Sequence, residues 1–401
     1  MKVWLAAWPV MAVFVLSNAP TPLYVLWQRS LGFSSGVLTA VFACYIAGLL
    51  GALLVAGVVS DRIGRKPVLL PAIALAMLAC VLFATAASVI VLALARLLAG
   101  IAVGATVSAG MAAVTDVAGP ERRRAAALAS SAAMVLGAGS GPLLAGVLSQ
   151  SLPGPTVVPF AVDAVLLASA FAVVARLPLA RPATGSGPGV WLRIPSVDPR
   201  GRTAVLLGVA VFAPGITSTS FVLALGPSVL AQLLGAGNRI VAGTLAFVMF
   251  LAATGVQFAV RRLGVRAILT VGALSTVAGM VMLVLSVRLA SVPLLAVAAV
   301  LAGSGQGMGQ FGGLTLISAS VPSTRLAEAN AAQNIGGYLP AAVLPLAAGF
   351  LSDAAGLPTG TTVFAAVVAT AALAGAAVVT VVTVKGRAAE AAPVLSPAGD
   401  G

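Results

Sequence analysis

The chain has 401 residues, 60% hydrophobic and 8% charged, with 22 Lys and Arg, nine acids and no His. Its mean hydropathy of +1.13, and apolar runs of about 20 residues that recur from end to end, each long enough to cross a bilayer core, exclude a soluble domain and mark a polytopic membrane protein. The net charge of +13 is no nucleic-acid footprint, because the basic residues sit between apolar runs rather than in a stripe interleaved with aromatics.

The first run, near 3–27, begins MKVWLAAWPVMAVFVLSNAP, which imitates a signal peptide through Lys2, an apolar stretch and a small-residue end. Pro20 directly after that end makes a poor cleavage site, so the segment is expected to remain as helix 1. Helices 2 to 6 are predicted near 35–59, 68–87, 89–115, 125–150 and 157–177. A stretch rich in Pro, Gly and Arg at 178–202 separates them from helices 7 to 12, near 203–232, 239–260, 266–287, 292–319, 327–351 and 359–384. The predicted fold is all-α integral membrane, with twelve transmembrane helices in two six-helix pseudo-repeats, 1–177 and 203–384. A cytoplasmic linker (178–202) joins them and a disordered cytoplasmic tail (385–401) follows. Trp191 and Arg193 of the linker suit a membrane interface. Cys44 and Cys80 lie inside apolar runs without a paired motif and read as small packing residues.

With both termini in the cytoplasm, Lys2, Arg62, Arg65, Lys66, Arg122, Arg123, Arg124, Arg176, Arg181, Arg193, Arg200, Arg202, Arg261, Arg262, Arg266, Arg325, Lys385 and Arg387 fall on that side. Only Arg29, Arg239 and Arg288 fall on the other, and Arg96 alone lies within a helix. Basic residues concentrate on cytoplasmic loops, so a multi-pass protein of the cell (inner) membrane with both termini inside is predicted.

The halves repeat each other at an offset of about 200 residues. DRIGRKPVL (61–69) faces RRLGVRAIL (261–269), LALARLLAGIAVG (92–104) faces LAVAAVLAGSGQG (295–307), and GPLLAGVLSQ (141–150) faces LPLAAGFLSD (344–353). Asp61, Arg65, Arg96 and Asp116 are matched by Arg261, Val265, Ala299 and Ala319, so the specialised charges belong to the first half.

GVVSDRIGRKP, between helices 2 and 3, matches the signature G-x-x-x-D-R-x-G-R-[RK] through Gly57, Asp61, Arg62, Gly64, Arg65 and Lys66. With twelve spans, two halves and a long cytoplasmic link, the chain resembles the major facilitator superfamily. Helix 4 carries LARLLAGIAVG, similar to the family's R-x-x-x-G-x-x-x-G through Arg96, Gly100 and Gly104. Helix 5 carries GAGSGPLLAG, similar to the G-x-x-x-G-P-x-x-x-G pattern of exporters and drug/proton antiporters through Gly137, Gly141, Pro142 and Gly146. The resemblance implies that Asp61 docks on helix 11 of the other half while Arg65 pairs with Asp116, closing a cytoplasmic gate, and that Arg96 serves proton coupling.

The residues support parts of this directly. Positive charges on the loop fix orientation, but an acid does not; Asp61 can instead face the positive end of a neighbouring helix. Gly57 would admit that neighbour, Gly64 permits a turn with positive φ, and Pro67 suits the first turn of helix 3. Arg96 lies about seven residues into helix 4, roughly 10 Å below the outer surface, where an arginine costs about 2.5–3.5 kcal/mol on insertion scales. It either snorkels outward or takes a buried role beside the close packing marked by Gly100 and Gly104. Asp163, about six residues into helix 6 at similar depth, is either a shared proton site with Arg96 or an acid wetted at the outer interface. The Gly-Pro segment of helix 5 is expected to kink and to face helix 8 across the half interface.

Asn18, Thr217, Ser218, Thr219, Ser220, Gln306, Gln310, Asn334 and Tyr338 lie at or near mid-depth, where transporters of this fold bind substrate between repeats. Met134 and Phe221 offer apolar contact, and any Ser or Thr can instead bond back to its own helix. The set points to an uncharged or amphipathic ligand, and helix 1 has only Asn18 where cation exporters carry an acid. The reading is a secondary active transporter working by alternating access, in the first instance proton-coupled efflux of a small organic solute. The alternative is an importer or uniporter of a metabolite. A membrane enzyme or sensor is disfavoured, because there is no His, metal-ligand cluster, HExxH or phosphate-binding GxxxxGK[ST] loop. Expected partners are the solute, protons and the lipid bilayer, with no nucleic acid, metal or cofactor, and the chain is expected to be a monomer.

Overall fold

A computed structural model describes residues 2–179, 199–234, 237–322 and 325–391. Most of the predicted linker, with Trp191 and Arg193, and the end of the tail lie outside the described residues. The described chain is all-helical, and twelve helices are long and apolar enough to span a membrane. Helices 1 to 6 are Val3–Leu31, Ser35–Ile63, Lys66–Ala84, Val89–Ala118, Ala125–Ser151 and Val158–Arg176. Helices 7 to 12 are Gly201–Gln232, Arg239–Val260, Val265–Arg288, Val292–Ser320, Glu328–Ala355 and Leu357–Val382.

Two helices depart from a plain span. Helix 1 is α-helical to Asn18, breaks at Ala19 and Pro20, passes through a 3-10 turn at Thr21–Leu23 and resumes from Tyr24. Pro20 and Pro22 cannot donate to the preceding turn, so they leave its carbonyls open. Helix 4 changes to π geometry over Thr106–Gly110 before its last turns, an arrangement that recurs at functional sites. The last helix continues to Ala391, into the stretch expected as tail. The sequence there, KGRAAEA, is rich in strong helix formers.

Glycines bring the halves into register with the repeat. A Cβ on Gly100 or Gly104 would press into the carbonyls of Tyr45 and Leu49 on helix 2, and one on Gly303 or Gly307 into those of Met249 and Ala253 on helix 8. Helix 4 therefore lies on helix 2 as helix 10 lies on helix 8, with backbones touching, as small residues allow in membranes.

Candidate functional site

The loop end of the bundle is built by one turn. Gly64 takes a φ of +101° and stops helix 2, a conformation only glycine adopts cheaply, and Pro67 starts helix 3. The turn folds Arg65 back on its own half: Nη1 donates to Asp61 at 2.5 Å and to Ser60 Oγ at 3.0 Å, and Nε donates to Asp116 at 3.2 Å. Burial pulls the Arg65 pKa down, but the two carboxylates outweigh it and hold the pKa above its ordinary value. Lys66 Nζ donates to the carbonyls of Ala175 and Leu177 at 2.5 and 3.5 Å, at the C-terminal end of helix 6 where a cation is favoured. Arg62 lies half-buried on the last turn of helix 2.

The expected docking of Asp61 on helix 11 is absent from this conformation. The Asp61 side chain is 68% exposed and pairs with Arg65 of its own half, and a Cβ on Gly57 would meet nothing within 4 Å. The physical reason is that the buried apolar clusters at this end each stay within one half, Ala6, Val114 and Ala126 in the first and Val205, Ile317 and Val321 in the second, so among the described residues no core joins the halves beside Asp61. Asp61→Asn and Arg65→Ala should each abolish sustained transport with protein still in the membrane, whereas Arg261→Ala should be mild. Equal severity at Arg261, measured as flux per inserted protein, would contradict an asymmetric gate.

The far end is sealed. Asp353, on the last turn of helix 11, accepts hydrogen bonds from Ser35 N and Gly36 N, at 2.8 Å each, capping the N-terminus of helix 2 across the half boundary. Its repeat counterpart Gln150, at the end of helix 5, accepts from Arg239 N and Ile240 N at 2.9 and 3.2 Å, capping helix 8 in the same way. Arg239 Nη2 adds a bond to the Ser149 carbonyl at 2.7 Å, and Ser228 donates to Gln28 at 3.0 Å. Neither cap was foreseen, although the aligned segments 141–150 and 344–353 end on these two residues.

The helix 5 signature divides between two neighbours, which corrects the expectation that it faces helix 8 as a whole. Gly137 and Gly141 lie against Met11, Phe14 and Val15 of helix 1 in the same half, whereas Gly146 lies against Arg239 and the Pro142 carbonyl is met by Gly243 of helix 8. Glycines 137, 141 and 146 are four or five residues apart, so they spread over more than one face of a 3.6-residue helix.

In the interior, the predicted cavity residues separate by what their polar atoms do. Ser218 and Thr219 donate to the carbonyls of Gly215 and Ile216 at 2.6 and 2.9 Å, so their hydroxyls are used within helix 7. Phe221 is fully buried and stacks on Phe364 at 4.3 Å, which removes it from the lining. Thr217 Oγ1 and Gln306 Oε1 are buried without a partner. Tyr338 meets Phe212 edge-on at 6.4 Å, Asn18 Nδ2 donates to Ser17 Oγ at 2.9 Å, and Ser220 is buried. Gln310, Asn334 and Met134 are half-buried. Reading the sequence missed Gln333 and Asn330 of helix 11, whose amide oxygens are also buried without a partner, and the tyrosines Tyr24 and Tyr45. An apolar groove of about 490 Å³ between helices 2 and 4, bordered by Gly48, Gly51, Leu97 and Ile101, has no polar side chain to orient a solute.

Arg96 is fully buried, which decides against snorkelling. Its Nη1 donates to the Ser17 carbonyl at 2.7 Å, at the break in helix 1. Its guanidinium lies 5.0 Å from the Tyr24 ring, 5.7 Å from Phe42, 5.6 Å from Tyr45 and 5.9 Å from Phe83. Asp163 is also buried, with Oδ2 unpartnered, so it is not wetted at an interface. The structure does not bring the two together as an ion pair. Phe83 contacts Arg96 and stacks on Phe160 at 4.9 Å, and Phe160 lies one turn before Asp163, so a layer of aromatic rings connects them instead.

A family model described as Major Facilitator Superfamily matches residues 4–260, more than half of the chain. The chain belongs to that superfamily. Among solved structures, a crystal structure of a mutant of the nucleoside transporter NupG matches with a TM-score of 0.73 at 13% identity, covering 94% of this chain and 99% of that one; at such identity the likeness is one of fold. No curated protein matches the sequence. As a major facilitator the chain is a multi-pass membrane transporter, and the parted loop end with a sealed far end is one of the two extremes that an alternating-access carrier must visit.

Proposed function

We propose that this chain is a secondary active carrier that exports a small amphipathic organic solute in exchange for protons, with the Arg65 loop and both termini on the cytoplasmic side. In that orientation the far end is the outer face and the conformation opens inward. The observation that carries the reading is the pair of repeat-related caps, Gln150 on helix 8 and Asp353 on helix 2. Each joins a helix of one half to a helix of the other at a single end, so breaking both lets the halves rock apart there. Six-helix bundles at 1–177 and 203–384 are the moving bodies.

Export is supported by the helix 5 signature, whose Pro142 and Gly146 meet helix 8 at this interface. Proton coupling is assigned to Asp163, because an ionised carboxylate buried without a donor costs several kcal/mol and a transferable proton relieves that cost. Arg96 acts on it through the Phe83 and Phe160 rings. Uptake is the second reading, favoured by the interior amides Gln306, Gln333 and Asn330 and by the fold shared with a nucleoside transporter.

Purified protein in liposomes, screened against solute gradients with and without an imposed pH gradient, tests the proposal. Solute flux driven by pH alone is expected, and Asp163→Asn should lose pH-driven flux at least about tenfold while solute exchange without a gradient persists. Full pH-driven flux in Asp163→Asn would remove Asp163 from the coupling, and flux that follows ATP rather than gradients would overturn the carrier.

A further inference from the structure

The buried guanidinium of Arg96 is only partly satisfied. Nη1 is used on the Ser17 carbonyl, but Nε and Nη2 are buried and have no acceptor, and among the described residues no carboxylate forms a salt bridge with it. The surrounding rings of Tyr24, Phe42, Tyr45 and Phe83 can attract the positive charge, yet a ring supplies no lone pair to an N–H edge. The two donors without acceptors are neighbours on one edge of the guanidinium, the fork that binds a carboxylate through two parallel hydrogen bonds. The Tyr24 hydroxyl, buried beside it, is close enough to interact with the guanidinium but makes no hydrogen bond of good geometry, so its proton is free to donate.

The site connects to the interior. Tyr45 is half-buried with its ring 5.6 Å from the Arg96 guanidinium, and it stands on helix 2, which packs against helix 11 of the opposite half, the helix that carries Tyr338. Asn18 flanks the same carbonyl turn through Ser17.

We propose that Arg96 is the headgroup site of the substrate, and that the substrate is an organic monocarboxylate with a flat, largely apolar body. The carboxylate takes the Nε and Nη2 edge with Tyr24 as a further donor, and the body lies against Tyr45 and Tyr338. One uncompensated cation calls for one negative charge, and the aromatic walls favour a planar body. The proposal rests on the carrier reading above but narrows its solute from amphipathic to anionic.

The test uses the full-length purified chain in detergent, where no flux is needed, and follows the thermal unfolding midpoint with benzoate, phenylacetate and butyrate as probes. Benzamide and benzylamine serve as neutral and cationic matches. At least one carboxylate, with an aromatic one strongest, is expected to raise the midpoint in a saturable way while benzamide and benzylamine do not. Arg96→Lys, which keeps the charge but loses the fork, should weaken the apparent affinity about tenfold or more, and Arg96→Gln should abolish the shift. If no carboxylate shifts the midpoint, if benzamide or benzylamine matches benzoate, or if Arg96→Gln retains the response, the proposal is overturned. Carboxylate binding without liposome flux would leave this site standing and sink the carrier. Gradient-driven flux of a neutral solute with no carboxylate binding would do the reverse.

Discussion

Replacing Gly243 or Gly146 by Leu is expected to arrest transport. A Cβ at Gly243 would press into the Pro142 carbonyl, and one at Gly146 into the Arg239 carbonyl. Both obstacles are backbone, Pro142 in the middle of helix 5 and Arg239 at the first residue of helix 8, so no side chain can swing away. Overpacking of this kind costs about 1–3 kcal/mol or more, a factor of roughly 5 to 150 in the population of the far-end-closed state. Gly51→Leu is the control, since nothing stands within 4 Å of its Cβ position. Initial rates of flux in liposomes, normalised to inserted protein, should fall at least tenfold for the interface glycines and stay near wild type for Gly51. Wild-type flux in Gly243→Leu would mean that helices 5 and 8 do not need to meet for turnover.

The second large effect is expected at Asp353. Its two oxygens accept from Ser35 N and Gly36 N, and a hydrogen bond to a charged group contributes about 1.5–3 kcal/mol. An acid at a helix N-terminus is further favoured by the helix dipole. Asp353→Ala should therefore loosen the far end by roughly tenfold or more in population. Gln150→Ala, which removes a neutral acceptor, should shift it less, because neutral bonds contribute about 0.5–1.5 kcal/mol net. A cysteine at Asn18, in a chain with Cys44 and Cys80 replaced, reports the change through its rate of reaction with an impermeant reagent added outside. The rate should rise in the order wild type, Gln150→Ala, Asp353→Ala. No acceleration in Asp353→Ala would show that the cap does not hold the seal.

Much of the fold was legible because its signals are local. Apolar length located the spans to within a few residues, and Gly64 and Pro67 announced the sharp turn that places Arg65 on Asp116. The spacing of Gly100 and Gly104 announced the close approach of helix 4, though not that its partner is helix 2. What stayed hidden depends on which surfaces of two helices meet. Asp353 reads as an ordinary acid at a helix end, and only the neighbouring N-terminus of helix 2 turns it into a cap. The GAGSGPLLAG segment reads as one motif, yet its glycines divide between helix 1 and helix 8.

Buried polar chemistry was half legible. Arg96 stood out because a charge inside an apolar run has to be accounted for, and Asp163 for the same reason. Their separation by Phe83 and Phe160 could not be read, since aromatics inside apolar runs look like packing. Ser218 and Thr219 looked like lining but bond to their own helix, while Gln333 was overlooked near the start of helix 11. The break in helix 1 was available in N-A-P-T-P, where two prolines remove the donors that would continue it.

The central claim is that two rigid halves exchange a seal at the far end for one at the Asp61 end. Distances between spin labels by double electron–electron resonance test it without knowledge of the substrate. One pair, Ile63 with Leu263, uses exposed positions on the repeat-related loops at the open end, and the other pair, Leu152 with Ala354, uses exposed positions at the sealed end. Two populations are expected, one with the first pair far apart and the second close, the other reversed, and Asp353→Ala should enrich the reversed one. A single distance for each pair, unchanged by Asp353→Ala, would contradict the account.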